Sequence, residues 1–178
     1  RRLDSVLEYM DKVGNVLDDD VAIRLRVVKG ISGKFGLIYY LKADRRRAVE
    51  VAEKHTKILK EEGMEPASII EDIRYTELFN VSYGVGPNFE MQKEIFSKLI
   101  KLLKPEVAKE LVIEETRDGN YALVYKIFSD VNSAAKTAKE HSVLLKRHGL
   151  SASIIRERNN SKVYDYSSQP AEETERKR

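Results

Sequence analysis

Residues 33–63 read GKFGLIYYLKADRRRAVEVAEKHTKILKEEG, and residues 119–149 read GNYALVYKIFSDVNSAAKTAKEHSVLLKRHG. The two stretches share a pattern at a constant offset of 86 residues. The matched positions in the first stretch are Gly33, Leu37, Tyr39, Asp44, Ala48, Ala52, His55, Leu59, Lys60 and Gly63. A tandem repeat constrains the architecture before any single motif is interpreted. We therefore predict a first repeat over residues 1–86, a second over 87–168, and a disordered polar tail over 169–178.

Each copy is predicted to be an αββαββ unit, which makes the chain an α+β protein. Apolar residues at helical spacing predict opening helices, and β-branched or aromatic runs predict strands. Asp44 and Asp130 are predicted N-caps of the central helices, and Gly63 and Gly149 follow their ends. The predicted opening helices cover 3–17 and 89–103. The predicted strands cover 21–28, 35–41, 67–73 and 77–83 in the first copy, and 111–115, 121–128, 152–158 and 162–167 in the second.

The composition indicates a well-solvated globular protein without a strong electrostatic bias. Charged residues make up 34% of the 178 residues, yet the net charge is only +3. This near balance does not indicate the strongly basic body of a typical nucleic-acid binder. The chain has no cysteine, which excludes disulfides and thiolate metal sites. With no long apolar run, we expect a cytoplasmic protein that does not enter a membrane, and the richness in Lys and Glu leans toward a thermophile.

The doubled αββαββ order resembles the single-chain form of the LAGLIDADG homing-endonuclease superfamily. Residues 121–166 carry the similarity: a strand ending at a capping Asp, an Ala-rich helix with paired leucines, Gly149-Leu150-Ser151-Ala152, and two strands. This resemblance implies two half-domains in a pseudo-twofold arrangement whose sheets form a DNA-binding saddle. The acidic Gly-Asp-Gly type motif that holds the family's metal ion is missing.

Two acidic residues at equivalent repeat positions are weak catalytic candidates. Asp20 and Glu106 could hold Mg²⁺ for phosphodiester hydrolysis if they met at a pseudo-twofold axis. The alternative is that both simply belong to acidic turns, and we favour it. No cofactor and no resident metal are predicted.

A second resemblance leads to a different class of protein. A strand, a helix with paired leucines, a glycine and two strands are also similar to the SPOR-type peptidoglycan-binding module, which is ferredoxin-like. That module is periplasmic and usually follows a membrane anchor, so we rank this resemblance below the first.

Basic side chains are the candidate nucleic-acid contacts. Arg45, Arg46 and Arg47 occupy the first turn of a predicted helix, where backbone N–H groups favour an anion such as phosphate. Arg24 and Arg26 are predicted on one face of the first strand, where arginine could read guanine in a major groove. The full candidate set is Arg24, Arg26, Lys29, Lys34, Arg45, Arg46, Arg47, Lys126, Arg156 and Arg158. The alternative for each is ordinary surface charge.

The repeated histidines and tyrosines are interpreted as structural. His55 and His141 lie on the apolar helix stripes without a second ligand one turn away, which favours half-buried packing roles. Tyr39 and Tyr125 could stack on bases, but core packing is favoured.

From the first resemblance and the basic side chains, we expect a non-enzymatic duplex-DNA-binding protein. A Mg²⁺-dependent endonuclease and a protein-interaction module that assembles through its sheets, for example as a homodimer, are the alternatives.

Overall fold

The computed structural model describes residues 1–70 and 75–170, and the fold in these residues is α+β, as predicted. They contain six α-helices and two antiparallel sheets, one of three strands and one of five. The chain divides into two compact units. Unit 1 contains residues 1–78 and 157–159, and unit 2 contains residues 79–156 and those from 160 onward.

Unit 1 contains three helices and a small sheet. The elements are α1 (Leu3–Val16), α2 (Asp19–Ala22), β1 (Leu25–Gly30), β2 (Phe35–Tyr39), α3 (Arg45–Glu61) and β3 (Tyr75–Glu77). The sheet has the order β2-β1-β3, so β2 is an edge strand. The pairing of Val27 with Leu37 fixes the β1–β2 register.

The predicted strand 21–28 is wrong at its start. Residues 19–22 form α2, and β1 begins only at Leu25. Asp18, the residue before α2, has an extended backbone conformation. Its carbonyl oxygen accepts hydrogen bonds from Val21 N and Ala22 N at 3.0 Å each. Because Asp19 and Asp20 occupy the first turn, their charges suit the helix N-terminus, and this local preference outweighs the β-branched composition of the segment. Arg24 therefore lies in a turn before β1 and not on a strand face.

Unit 2 contains the larger sheet. Its elements are β4 (Phe79–Gly86), α4 (Phe89–Leu102), α5 (Pro105–Ala108), β5 (Leu111–Glu115), β6 (Tyr121–Ser129), α6 (Val131–Leu145), β7 (Ser153–Arg156) and β8 (Ser161–Asp165). The sheet has the order β7-β4-β6-β5-β8. Its β4-α4-β5-β6-α6-β7 portion is the βαββαβ arrangement of ferredoxin-like folds, and β8 is added beside β5.

The core of unit 2 lies between its sheet and both long helices. Phe96 and Leu99 of α4 share one cluster with Ala138 and Leu145 of α6, so both helices cover the same face. The central sheet positions of this cluster are Val81, Leu111, Ile113 and Leu123, all fully buried. Burial of these side chains is the main stabilising term of the unit.

The last two strands predicted for each copy differ from the structure in their bounds. The predicted strand 77–83 is split, because β3 ends at Glu77 and β4 begins at Phe79. The predicted strand 67–73 is not formed in its described residues 67–70, and residues 71–74 lie outside the described part. The last two strands are shorter than predicted, ending at Arg156 and Asp165. Of the predicted disordered tail, residues 171–178 lie outside the described part.

Removing a central side chain from the unit 2 core should be strongly destabilising. Phe96→Ala deletes a ring that is 0% exposed, and we expect a loss of about 3–5 kcal/mol in the free energy of unfolding because a cavity remains. Chemical denaturation followed by circular dichroism measures the change. Val143→Ala, at a 73% exposed position of α6, is the control and should change stability by less than about 0.5 kcal/mol. Equal effects of the two changes would contradict this packing.

Candidate functional site

Unit 1 contains a cleft between α3 and β2. The cleft has a volume of about 450 Å³. Its strand wall carries Leu37 and Tyr39, and its helix wall carries the stripe of α3 at helical spacing. The helix-wall residues are Ala48, Val51, Ala52, His55 and Leu59. A concave, mainly apolar space with few polar groups is typical of a binding site.

The position of α3 follows from local signals at both of its ends. Asp44 is the N-cap, and its side chain accepts from Arg47 N at 2.9 Å. Gly63 follows the helix with φ of 69°, in the left-handed region that glycine adopts without strain. Beyond it, the Thr56 hydroxyl donates to Ala67 O at 3.2 Å and accepts from Ala67 N at 3.0 Å. This pair of bonds holds the segment after α3 against the helix.

The central polar group of the cleft is His55. Its ring centre lies 5.3 Å from that of Tyr39. Burial lowers the pKa of His55, the nearby Lys54 lowers it further, and Asp18 opposes both. The ring is therefore neutral at pH 7, where it can accept a hydrogen bond at one nitrogen and donate at the other. Among the described residues no side chain hydrogen-bonds to it.

An ion pair joins two of the residues that line the cleft. The Arg1 guanidinium contacts the Glu65 carboxylate and also lies over the Tyr9 ring, 5.2 Å from its centre. Burial raises the pKa of the Tyr9 hydroxyl, and the Glu65 charge adds to that effect while Arg1 opposes it. Tyr9 is therefore neutral at physiological pH.

Unit 2 contains His141, which matches His55 in the sequence pattern and has a side-chain hydrogen-bond partner. His141 Nδ1 lies 2.7 Å from the Tyr83 hydroxyl of β4. The rings of Tyr83 and Tyr125 are both stacked with the His141 ring, with centres 6.0 Å away. The helix alanines Ala134 and Ala138 are buried here, whereas Ala48 and Ala52 of α3 are only half-buried. The difference is that β4 occupies the space in front of α6.

Several candidate cations already have partners. Arg26 Nη1 donates to Ile23 O and Leu25 O at 2.9 Å each, and Arg158 also donates to Ile23 O. Lys126 Nζ pairs with the buried Glu114 carboxylate at 2.9 Å. The Arg156 guanidinium lies over the Phe79 ring at 5.5 Å. These contacts hold the four side chains against their own units.

The exposed cations of unit 1 form two groups and not one patch. Lys29 and Lys34 lie at the hairpin end of β2, where the Lys29 ammonium is 5.8 Å from the Phe35 ring centre. Arg45, Arg46 and Arg47 follow the opposite end of β2, and Arg46 Nε lies 3.7 Å from Glu50 Oε1. Arg24 is exposed in the turn before β1.

The two carboxylate candidates lie in different units. Asp20 is exposed on α2 of unit 1, and Glu106 is exposed on α5 of unit 2. In the part of the chain that the structure describes, no three His, Asp or Glu side chains converge where they could hold a metal ion. None of the described helices is both long and apolar enough to cross a membrane.

Comparison of the chain with protein-family models, with curated proteins and with solved structures finds no match. The candidate site therefore rests on the geometry of the chain itself. The sequence pattern predicted core packing for Tyr39 and a half-buried position for His55, and both side chains are half-buried where they line the cleft.

Protonation of His141 should make the stability of the fold depend on pH. Burial lowers the pKa of His141 below its ordinary value of 6.5, although Glu140 opposes this effect. Because the folded state disfavours the protonated ring, the stability from neutral His141 is fully present above about pH 6.5 and is lost as pH falls through the lowered pKa. We expect the wild type to lose more stability between pH 7.5 and 5 than His141→Gln. Urea unfolding at both pH values measures this difference.

The control is the exposed His148→Gln, which should keep the pH dependence of the wild type. If His141→Gln loses as much stability as the wild type over this pH range, the buried neutral role of His141 is wrong.

Proposed function

We propose that this chain is a non-enzymatic interaction module whose unit 1 binds a segment of another polypeptide in the cleft between α3 and β2. The observation that carries the proposal is the cleft of about 450 Å³ beside an edge strand. Apolar walls favour burial of apolar side chains of a partner, and His55 offers one polar group for orientation. The near-neutral net charge also favours a protein partner over a polyanion.

The proposal includes a tandem duplication of one αββαββ unit. Equivalent residues make equivalent bonds: Thr56 bonds to both backbone atoms of Ala67, and Ser142 bonds in the same way to Ala152 at 2.9 Å. Gly63 and Gly149 have nearly the same positive φ, 69° and 68°. We propose a distant LAGLIDADG-like relationship on the same pattern, with neither copy retaining a metal-binding motif.

Filling the cleft should abolish peptide binding. Ala52→Arg places a long charged side chain among the apolar walls, so we expect random peptides displayed on phage to be enriched on the wild type and not on this variant. The measurement is sequencing of the enriched pool after selection on the full chain. The control is Ala135→Arg, the same substitution at an exposed position of α6.

The control protein should enrich the same peptides as the wild type. Circular dichroism must show that Ala52→Arg remains folded. Failure to enrich any peptide family on the wild type, or equal enrichment on Ala52→Arg, would overturn the proposed function.

Duplex-DNA binding is the second candidate function. It is favoured by three adjacent exposed arginines, Arg45 to Arg47, at the N-terminus of the 17-residue helix α3. Helix N–H groups and guanidinium groups together suit a phosphate. Lys29 and Lys34 would contact a second phosphate group along the duplex, because Lys34 precedes the other end of β2 and Lys29 of β1 pairs with Phe35 there.

Charge reversal at all three arginines tests this candidate. Arg45→Glu, Arg46→Glu and Arg47→Glu should weaken binding to a random duplex and lower the salt slope by roughly 0.9 for each phosphate that the variant no longer neutralises. The variant should stay folded because acidic residues stabilise a helix N-terminus. Fluorescence anisotropy across a salt series measures both quantities. The charge-matched control reverses Lys98, Lys101 and Lys104, and unchanged binding by the arginine variant would remove this candidate.

A further inference from the structure

One face of α6 carries four exposed cations around two exposed aliphatic side chains. Val143 and Leu144 are 73% and 51% exposed, so both side chains lie mostly outside the core of unit 2. The cations belong to α6 and to the 3₁₀ turn Lys146–His148 that continues it, and they are Lys136, Lys139, Lys146 and Arg147. We call these six residues the basic face of α6. The single acidic residue of α6 is Glu140.

Helical spacing places the cations on both sides of Val143. At about 100° per residue, Lys139 and Lys146 lie to one side of this side chain. Lys136 and Arg147 lie to the other side. The face is about 16 Å long, because an α-helix rises about 1.5 Å per residue. Within the described residues no ion pair joins these four cations to an acidic side chain, so their charge is not neutralised by the fold.

Helix α3 matches α6 in the sequence pattern but has a mixed surface charge. Acidic residues of α3 stand where α6 has cations, so that Glu50, Glu53 and Glu61 match Lys136, Lys139 and Arg147. The position of Val143 is filled by Lys57. A helix with this pattern therefore forms without a basic face, and the cations of α6 are not a requirement of the pattern.

Val143 is an unfavourable residue for an exposed helix position. A β-branched side chain has a lower helix propensity than lysine, because the helix restricts its χ1 rotamers. Since this side chain is mostly exposed, it gains little packing in return. A residue that breaks a local preference without a compensating contact inside the fold indicates a contact outside it.

The chemistry of the basic face favours an acidic polypeptide as its partner. Cations attract carboxylates, and the aliphatic pair at the centre favours apolar side chains opposite it. A phosphate backbone supplies the charge but offers no apolar group to cover Val143 and Leu144. A membrane-surface helix buries a continuous apolar face, whereas here cations flank the aliphatic pair on both sides. A second α6 would place like charges against one another.

We infer that the basic face of α6 binds an acidic amphipathic helix of a partner protein. About three turns of such a helix match the length of the face. Its aliphatic side chains contact Val143 and Leu144, and its glutamates or aspartates lie on both flanks of that contact. The charges orient the partner, and the aliphatic contact excludes water at the centre. This surface belongs to unit 2 and goes beyond the proposed function, which concerns the cleft of unit 1.

The probe is a labelled helical peptide of about five turns, with leucines in one stripe and glutamates on both flanks. Titration with the full chain, followed by fluorescence anisotropy, should show saturable binding that weakens as salt is added. The control peptide has the same composition with its leucines distributed around the helix. It should bind about fivefold more weakly, because fewer leucines can cover the aliphatic pair. Equal binding of both peptides, or of neither, would overturn the inference.

A charge-neutralised variant tests the cations. Lys136→Gln, Lys139→Gln and Lys146→Gln together should weaken binding of the striped peptide about tenfold. Glutamine preserves helix propensity, so circular dichroism should be unchanged. The matched control neutralises three exposed lysines elsewhere in unit 2, with Lys98→Gln, Lys101→Gln and Lys104→Gln, and should bind like the wild type. Equal losses in the two variants would mean that the peptide reads net charge alone, and the inference would be wrong.

Val143→Ala tests the aliphatic centre and should weaken binding of the striped peptide about fivefold. Unchanged affinity would overturn the inference. Ala52→Arg should bind the peptide like the wild type, and lost binding would place the peptide in the cleft of unit 1 instead. Random-sequence duplex DNA and phosphatidylserine vesicles are the competing ligands. If either binds more tightly than the striped peptide and loses that affinity in the charge-neutralised variant, it is the occupant and the inference fails.

Discussion

The pairing of β4 with β6 is the interaction on which the completeness of unit 2 depends. It closes the sheet beneath α4 and α6, supplies Val81 to the shared core, and gives β7 an edge to join. The ladder is interrupted between Phe79 and Val81, where the buried Asn80 carboxamide oxygen accepts from Ile127 N and Phe128 N at 3.0 Å each. A side chain thus satisfies the backbone groups that the bulge leaves without a ladder partner.

The position of β4 also explains why the segments after α3 and α6, which are similar in sequence, differ in structure. The segment after each central helix is fixed by a hydroxyl bonded to the backbone of an alanine, Thr56 in one copy and Ser142 in the other. After α6 the chain continues into a strand at Ser153, where β4 lies beside it, whereas the described residues 67–70 after α3 form no strand. Local sequence therefore sets the turn and the direction of the chain, and a non-local strand decides whether the segment becomes part of a sheet.

Local signals made the four long helices, α1, α3, α4 and α6, and the β5–β6 hairpin predictable. Asp44 and Asp130 cap their helices as predicted, each side chain accepting a bond from the backbone three residues on. The Asp118-Gly119 turn joins two strands whose predicted bounds differ from the structure by one residue at most. Strand pairing was less predictable, because the sequence of residues 79–86 alone does not indicate whether this strand pairs with β6 or with β3. The ferredoxin-like strand order of unit 2 depends on the pairing of β4 with β6.

The candidate site was harder to predict than the fold, because neighbouring elements decide whether a side chain lines a cleft or a core. Tyr39, Ala52 and His55 have the pattern of a core stripe, and at the matching positions of unit 2 Ala138 is buried in the core while Tyr125 packs against it. The cations were misleading for a different reason. The sequence shows a charge such as Lys126 but not the ion pair with Glu114 that engages it. An apolar edge such as Leu37-Ile38-Tyr39, with no lysine or proline inside it to block pairing, favours association with another strand. Such an edge is useful where a partner strand completes it, and for this reason we place the proposed binding function at the cleft and not at the scattered cations.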